Sequence, residues 1–164
     1  MTRHRWRRGG ERGSYVRVRR GVYVSSPPML FLDLAPCLCL EHLIELGYEL
    51  CGGFAYRQAG GFFSCDPLVT PAALARFAGA ATCRRGRKKA AHAASLVLGG
   101  AASPREAHVA MLLSLPPRLG GYGLRRPELN GAVALDEEGW RVLGRRSLRC
   151  DLLWRQAGVA LEYE

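Results

Sequence analysis

The chain has 164 residues, of which 48% are hydrophobic and 23% charged, so it has the composition of a folded protein with room for one ordinary domain or two small ones. That excludes a large multidomain enzyme and a chain disordered throughout. No apolar run approaches the ~20 residues of a membrane-spanning helix, and no secretory apolar core follows the first arginines, so a cytoplasmic protein with no membrane partner is expected.

The formal charge of +10 is concentrated in two blocks. Residues 1–20 carry eight arginines against one acid, Glu11, and Arg84, Arg85, Arg87, Lys88 and Lys89 form the second block. Concentrated cations of this kind engage a polyanion such as DNA through its phosphates. The six cysteines (37, 39, 51, 65, 83 and 150) include no Cys-x-x-Cys, which removes the spacing of zinc ribbons and redox motifs and leaves reduced, mostly buried thiols as the expectation. His4, His42, His92 and His108 have neither HExxH nor triad spacing, so nucleophilic catalysis finds no support.

In chain order, residues 1–14 read as a flexible basic arm carrying Arg3, Arg5, Arg7 and Arg8 among glycines. Residues 15–24 alternate β-branched or aromatic side chains with arginine, which predicts a strand or a short hairpin turning at Arg20-Gly21. Residues 29–34 predict a helix. After Pro36, Leu40, Leu43, Ile44 and Leu50 fall at helical spacing with Glu41, Glu45 and Glu49 on another face, an amphipathic helix stopped by Cys51-Gly52-Gly53. Gly60-Gly61 marks a loop. Thr70-Pro71 starts an alanine-rich helix running to about residue 80. A second alanine-rich helix, 84–98, carries its cations in the first turn, where the helix dipole disfavours them and where a bound phosphate would relieve the conflict. Gly99-Gly100 then separates a mainly helical module, 15–98, from residues 101–164.

Ser103-Pro104-x-Glu106 has the form of a capping box, in which the Glu106 carboxylate reaches back to the Ser103 amide. His108, two positions on, faces elsewhere. Leu115-Pro116-Pro117 ends that helix. Residues 132–135 and 140–143 predict a hairpin around Asp136-Glu137-Glu138-Gly139, and residues 147–154 and 158–164 predict a second. A turn centred between Gln156 and Ala157 opposes Asp151 to Glu162, and one centred a residue later opposes it to Glu164. In either register Asp151, Glu162 and Glu164 share one face of the sheet, with Val159, Leu161 and Tyr163 on the other. Opposed carboxylates destabilise a sheet unless a cation compensates them, a pKa rises or the face is solvated. A hard divalent ion held by carboxylate oxygens meets that need, and a solvated face is the plainer alternative.

Ser103-Pro104-x-Glu106, Pro127-Glu128-Leu129-Asn130, Cys150-Asp151-Leu152-Leu153-Trp154 and Val159-Ala160-Leu161-Glu162-Tyr163-Glu164 together resemble small bacterial proteins of the PD-(D/E)XK nuclease superfamily. The similarity is greatest to the branch related to very-short-patch-repair endonucleases, whose members often carry an N-terminal regulator-like module. The resemblance implies an α+β or α/β chain, with a mostly helical N-terminal module followed by a partial restriction-endonuclease-like αβββ core, incomplete at its C-terminus. It also implies a Mg2+ or Mn2+ ion at Asp151, Glu162 and Glu164, with Glu106 as a helix carboxylate, acting on DNA phosphodiesters. Glu164 stands where the superfamily has lysine, and the last strand and helix of such a core would follow it. The implied activity is therefore weak or absent, and the last strand calls for a protein partner or a second copy to cover it. The alternative is a non-catalytic DNA-binding, antitoxin-like regulator that grips phosphate through the basic arm and the Arg84–Lys89 cluster.

Overall fold

A computed structural model describes residues 13–82 and 84–163. Arg3, Arg5, Arg7, Arg8 and Glu164, all expected site residues, lie outside the described residues. Among those described, the fold is mixed α+β, with six α-helices and three small antiparallel sheets.

The chain opens with the hairpin β1 (Tyr15–Arg19) and β2 (Val22–Ser25), turning at Arg20-Gly21 as expected. Gly21 has φ +77°, a left-handed conformation that glycine adopts without strain. Ser26 then leads into α1 (Pro27–Leu34), whose prolines occupy first-turn positions that need no amide partner. α2 (Leu40–Cys51) is the expected amphipathic helix and buries Leu43, Ile44, Tyr48 and Leu50. A small hairpin of β3 (Phe54–Tyr56) and β4 (Phe62–Ser64) follows; its three-residue strands are too short to show an alternating pattern, and the sequence reading placed only a loop there. α3 (Pro71–Ala80) begins at Thr70, whose hydroxyl accepts from the Ala73 amide at 3.2 Å. α4 is shorter than expected, Arg87–Leu96, because Gly86 at φ +81° ends the preceding segment and leaves Arg84 and Arg85 ahead of the helix.

α5 (Pro104–Ser114) carries the expected Ser103 cap. β5 (Glu128–Ala134), β6 (Ser147–Trp154) and β7 (Val159–Leu161) form one antiparallel sheet in the order β5-β6-β7. The predicted strand at 140–143 is incorrect: those residues belong to α6 (Glu137–Leu143). Asp136 caps that helix by accepting from the Gly139 amide at 2.8 Å, and Gly144 ends it at φ +65°. The acids sit in the first turn and Arg141 in the last, the polarity a helix dipole favours.

One continuous set of buried apolar side chains joins these elements: Phe31 and Leu32 from α1, Leu43, Ile44 and Tyr48 from α2, Leu74 from α3, alanines of α4 and α5, and Leu129 and Leu152 from the sheet. The glycine pair expected to separate two modules is stitched to the end of α2, since Gly100 N donates to the Cys51 carbonyl at 3.3 Å and Gly53 N to the Ala101 carbonyl at 2.7 Å. Of the cysteines described, Cys51 and Cys150 are buried, Cys65 is half-buried and Cys37 and Cys39 are exposed, so fewer thiols are buried than expected. No described helix is long and apolar enough to cross a membrane.

Tyr48 carries the one tyrosine hydroxyl in this core. Burial pushes it up to about 12 against smaller opposing effects of Ser114, Arg126 and the Leu98 backbone, yet the oxygen makes no hydrogen bond of good geometry. An unbonded buried hydroxyl contributes no net stability. Tyr48→Phe is accordingly expected to leave the urea midpoint unchanged or raise it, with a gain of up to about 1 kcal/mol. A loss above that size would show that the hydroxyl is bonded after all.

Candidate carboxylate site

The sheet register aligns the acidic residues. Leu129 pairs with Leu152 and Gly131 with Cys150, which brackets Asn130 against Asp151. Leu152 pairs with Leu161, so the next position outward sets Asp151 against Glu162, one of the two expected registers. Asn130 and Asp151 thus occupy facing positions of β5 and β6, and Glu162 follows the last residue of β7 at the position the β6–β7 register sets beside Asp151. Asp151 is half-buried and Glu162 exposed. Asp151 Oδ2 accepts from the Tyr163 amide at 2.8 Å, which ties the chain beyond β7 to β6.

Glu106 reaches this row through Asn130. The Asn130 side chain donates from Nδ2 to Glu106 Oε2 at 2.7 Å and to the Gly100 carbonyl at 2.9 Å. Glu106 Oε2 also accepts from the Ala102 amide at 2.8 Å, and Oε1 from the Ser103 hydroxyl at 2.8 Å. The carboxylate thus bonds one residue earlier than a simple capping box predicts, and it is 8% exposed with three donors on it. His108 turns away, as expected, to pair with Glu45 of α2 at 2.6 Å.

Sequence reasoning assigned no role to Asn130. Its φ of +51° is the only left-handed value among the described non-glycine residues, and asparagine tolerates that region because its short amide bonds locally. The Asn130-Gly131 pair was the available signal, although that dipeptide ordinarily marks a turn rather than the middle of a strand. Arg105 of α5 was also missed. It donates to the Tyr163 hydroxyl at 3.0 Å and lies over its ring at 5.7 Å, clamping the segment that carries Glu162.

The electrostatics register the acids at Cys150, which is raised above the usual thiol value first by burial, then by Glu162 as charge and acceptor, then by Asp151, against a smaller opposing effect of Arg155. At neutral pH that thiol is protonated. Among the described residues, no three His, Cys, Asp or Glu side chains gather closely enough to hold a metal ion.

The second basic block is largely absorbed by the fold. Arg84 pairs with Asp33 at 3.1 Å, Arg87 donates to the Ala81 carbonyl at 3.3 Å and Lys89 to the Leu38 carbonyl at 2.7 Å. Arg87 and Lys89 thus have backbone-carbonyl partners in the first turn of α4, and Arg84, ahead of the helix, has the Asp33 carboxylate; Arg85 and Lys88 are exposed. At the end of the sheet where β5 begins and β6 ends, Arg125, Arg126, Trp154 and Arg155 line a shallow cleft of ≈ 290 Å³. Its cations are also engaged, Arg155 with Glu128 at 2.9 Å, Arg126 with the Ser95 carbonyl and Arg125 with Gln156.

No family model, curated protein or solved structure matches this chain. The functional reading therefore rests on its own residues.

Proposed function

We propose that this chain acts on DNA through a metal-dependent, endonuclease-like carboxylate centre on the β5-β6-β7 sheet. The observation that carries the reading is the cross-strand row Asn130, Asp151, Glu162, with Glu106 joined to Asn130. The order α5, β5, α6, β6, β7 supports it in part: a helix carboxylate precedes three strands of one antiparallel sheet, but α6 interrupts the αβββ run of such a core.

The donors fit a hard divalent ion in kind. Asp151 keeps Oδ1 outside its bond to Tyr163, Glu162 is exposed beside it, and Glu164, outside the described residues, is the further candidate ligand. Glu106 fits least directly, because three donors already occupy it; its part is to hold Asn130, at the strand position facing Asp151, in its left-handed conformation. Mg2+ or Mn2+ there would polarise a scissile phosphate and lower the pKa of a bound water. The second reading is a non-catalytic DNA-binding regulator in which the acidic strands are scaffold, and the saturation of Glu106 is the observation that favours it.

Calorimetric titration with Mn2+ distinguishes the two. The wild type is expected to bind the ion and Asp151→Asn to bind it at least tenfold more weakly, while circular dichroism stays unchanged because the amide oxygen still accepts from Tyr163. Plasmid nicking run in parallel reads whether a loaded centre turns over. Absence of Mn2+ binding in folded wild type, or equal binding by Asp151→Asn, overturns the metal-centre reading in favour of the regulator.

A further inference from the structure

The hairpin of β1 and β2 serves neither the core nor the carboxylate row. Every residue of both strands is exposed except Ser25, which is half-buried, so neither face of the ribbon lies on the body of the protein. Val18 and Tyr23 are 63% and 62% exposed, far more than strand residues packed on a core. The ribbon is fastened at its base, where Ser26 N donates to the Ser14 carbonyl at 2.9 Å. An isolated two-stranded hairpin is marginally stable in water, and one that holds valines and tyrosines away from the core is built to meet something else.

Charge identifies the partner. Residues 13–26 contain Arg17, Arg19 and Arg20 and no acidic residue. None of the three forms an ion pair with a described carboxylate. Arg17 stands across from Tyr23 and Arg19 across from Val22, with a register shift between the two arginines that adds local twist. Arg20 sits at the turn beside Gly21. Cations thus run along β1 to the tip of a narrow two-stranded ribbon.

We propose that this ribbon is a duplex-DNA grip that enters the major groove, with Arg17, Arg19 and Arg20 on the bordering phosphates. The B-form major groove, about 12 Å wide, admits a two-stranded β-ribbon. The A-form groove of duplex RNA is too deep and narrow for side chains to read, so the occupant is DNA. Strand pairing with another protein would use the same backbone edges but gives no role to three arginines without a single acid. The inference deepens the DNA-acting reading by naming its grip, yet it involves no metal and is tested apart from it.

The test is fluorescence anisotropy of a labelled DNA duplex with the full chain in chelator, across a salt series. Arg17→Ser, Arg19→Ser and Arg20→Ser combined are expected to lower the slope of log K against log salt by about 2.7, and to weaken binding at 0.1 M salt by on the order of 10²-fold. Replacing the same three residues by lysine restores most of the slope. A control of equal charge loss at the exposed Arg76, Arg118 and Arg145 is expected to lose less than a fifth of that effect, on the order of the screened long-range field alone. The proposal is overturned if wild type does not bind in chelator, if the ribbon variant keeps its slope, or if the control loses as much. It is equally overturned if duplex RNA competes as well as DNA or if single-stranded DNA competes better. None of these results alters the Mn2+ titration at Asp151, so the two readings fail separately.

Discussion

Glu106→Ala is expected to destabilise the protein by about 3 kcal/mol, as the loss of hydrogen bonds to a buried charged group and the stranding of their donors imply. The Ala102 amide and the Asn130 amide lose a shared acceptor, and the Ser103 hydroxyl loses the acceptor to which it donates. Asn130 keeps the Gly100 carbonyl, but the asparagine is then no longer held from both sides in its left-handed conformation. Glu106→Gln is the informative companion. Its amide oxygen can take the two donors now on Oε2, and the Ser103 hydroxyl can turn so that its oxygen accepts from the new amide NH2, so the cost is expected to stay below about 1 kcal/mol. Urea denaturation of both variants separates the alternatives. A large loss in alanine with little in glutamine marks Glu106 as a positioning residue for Asn130. Equal large losses would show that the negative charge itself is required. If neither variant loses stability, the bonded network does not hold the junction of α5 and β5.

Local chemistry was legible where it acts over a few residues. Thr70-Pro71 and Ser103-Pro104 announce helix starts because a capping hydroxyl and a first-turn proline satisfy or dispense with amides that the helix itself leaves unpaired. The opposition of Asp151 to Glu162 was legible as one of two registers, because strand side chains repeat every two residues; the four-residue connection Arg155–Gly158, which pairs Trp154 with Val159, selects it. Trp140 and Val142 alternate with Arg141 in a way that suits a strand, and the helix there is set instead by the Asp136 cap and the Gly144 exit. The intramolecular partners of the basic start of α4 were not legible because they are remote. Asp33 and the Leu38 carbonyl lie 51 residues away from Arg84 and Lys89, and no local pattern encodes that distance. Asn130 escaped for the same reason, since its meaning comes from Glu106 on a different element.

Leu152→Ala tests whether the acidic row is fixed to the rest of the molecule. Leu152 is fully buried in the central strand, paired with Leu129 on one side and Leu161 on the other, and is one of the sheet residues within the helical core. Truncating its isobutyl group to a methyl leaves a cavity at the seam between sheet and helices, and the expected cost is about 3 kcal/mol, near the middle of what buried leucines lose. Leu152→Met keeps the volume and is expected to cost below about 1.5 kcal/mol. Because Asp151 is the next residue, the alanine variant is also expected to weaken Mn2+ binding while methionine retains it. That coupling is the decisive part: a side chain aimed away from the carboxylates influences them only if β6 is held rigidly by what lies beneath. Loss of stability without loss of Mn2+ affinity would mean that Asp151 and Glu162 keep their register through the β6–β7 pairing and the Tyr163 amide alone. The carboxylate row would then be a property of the hairpin rather than of the whole fold.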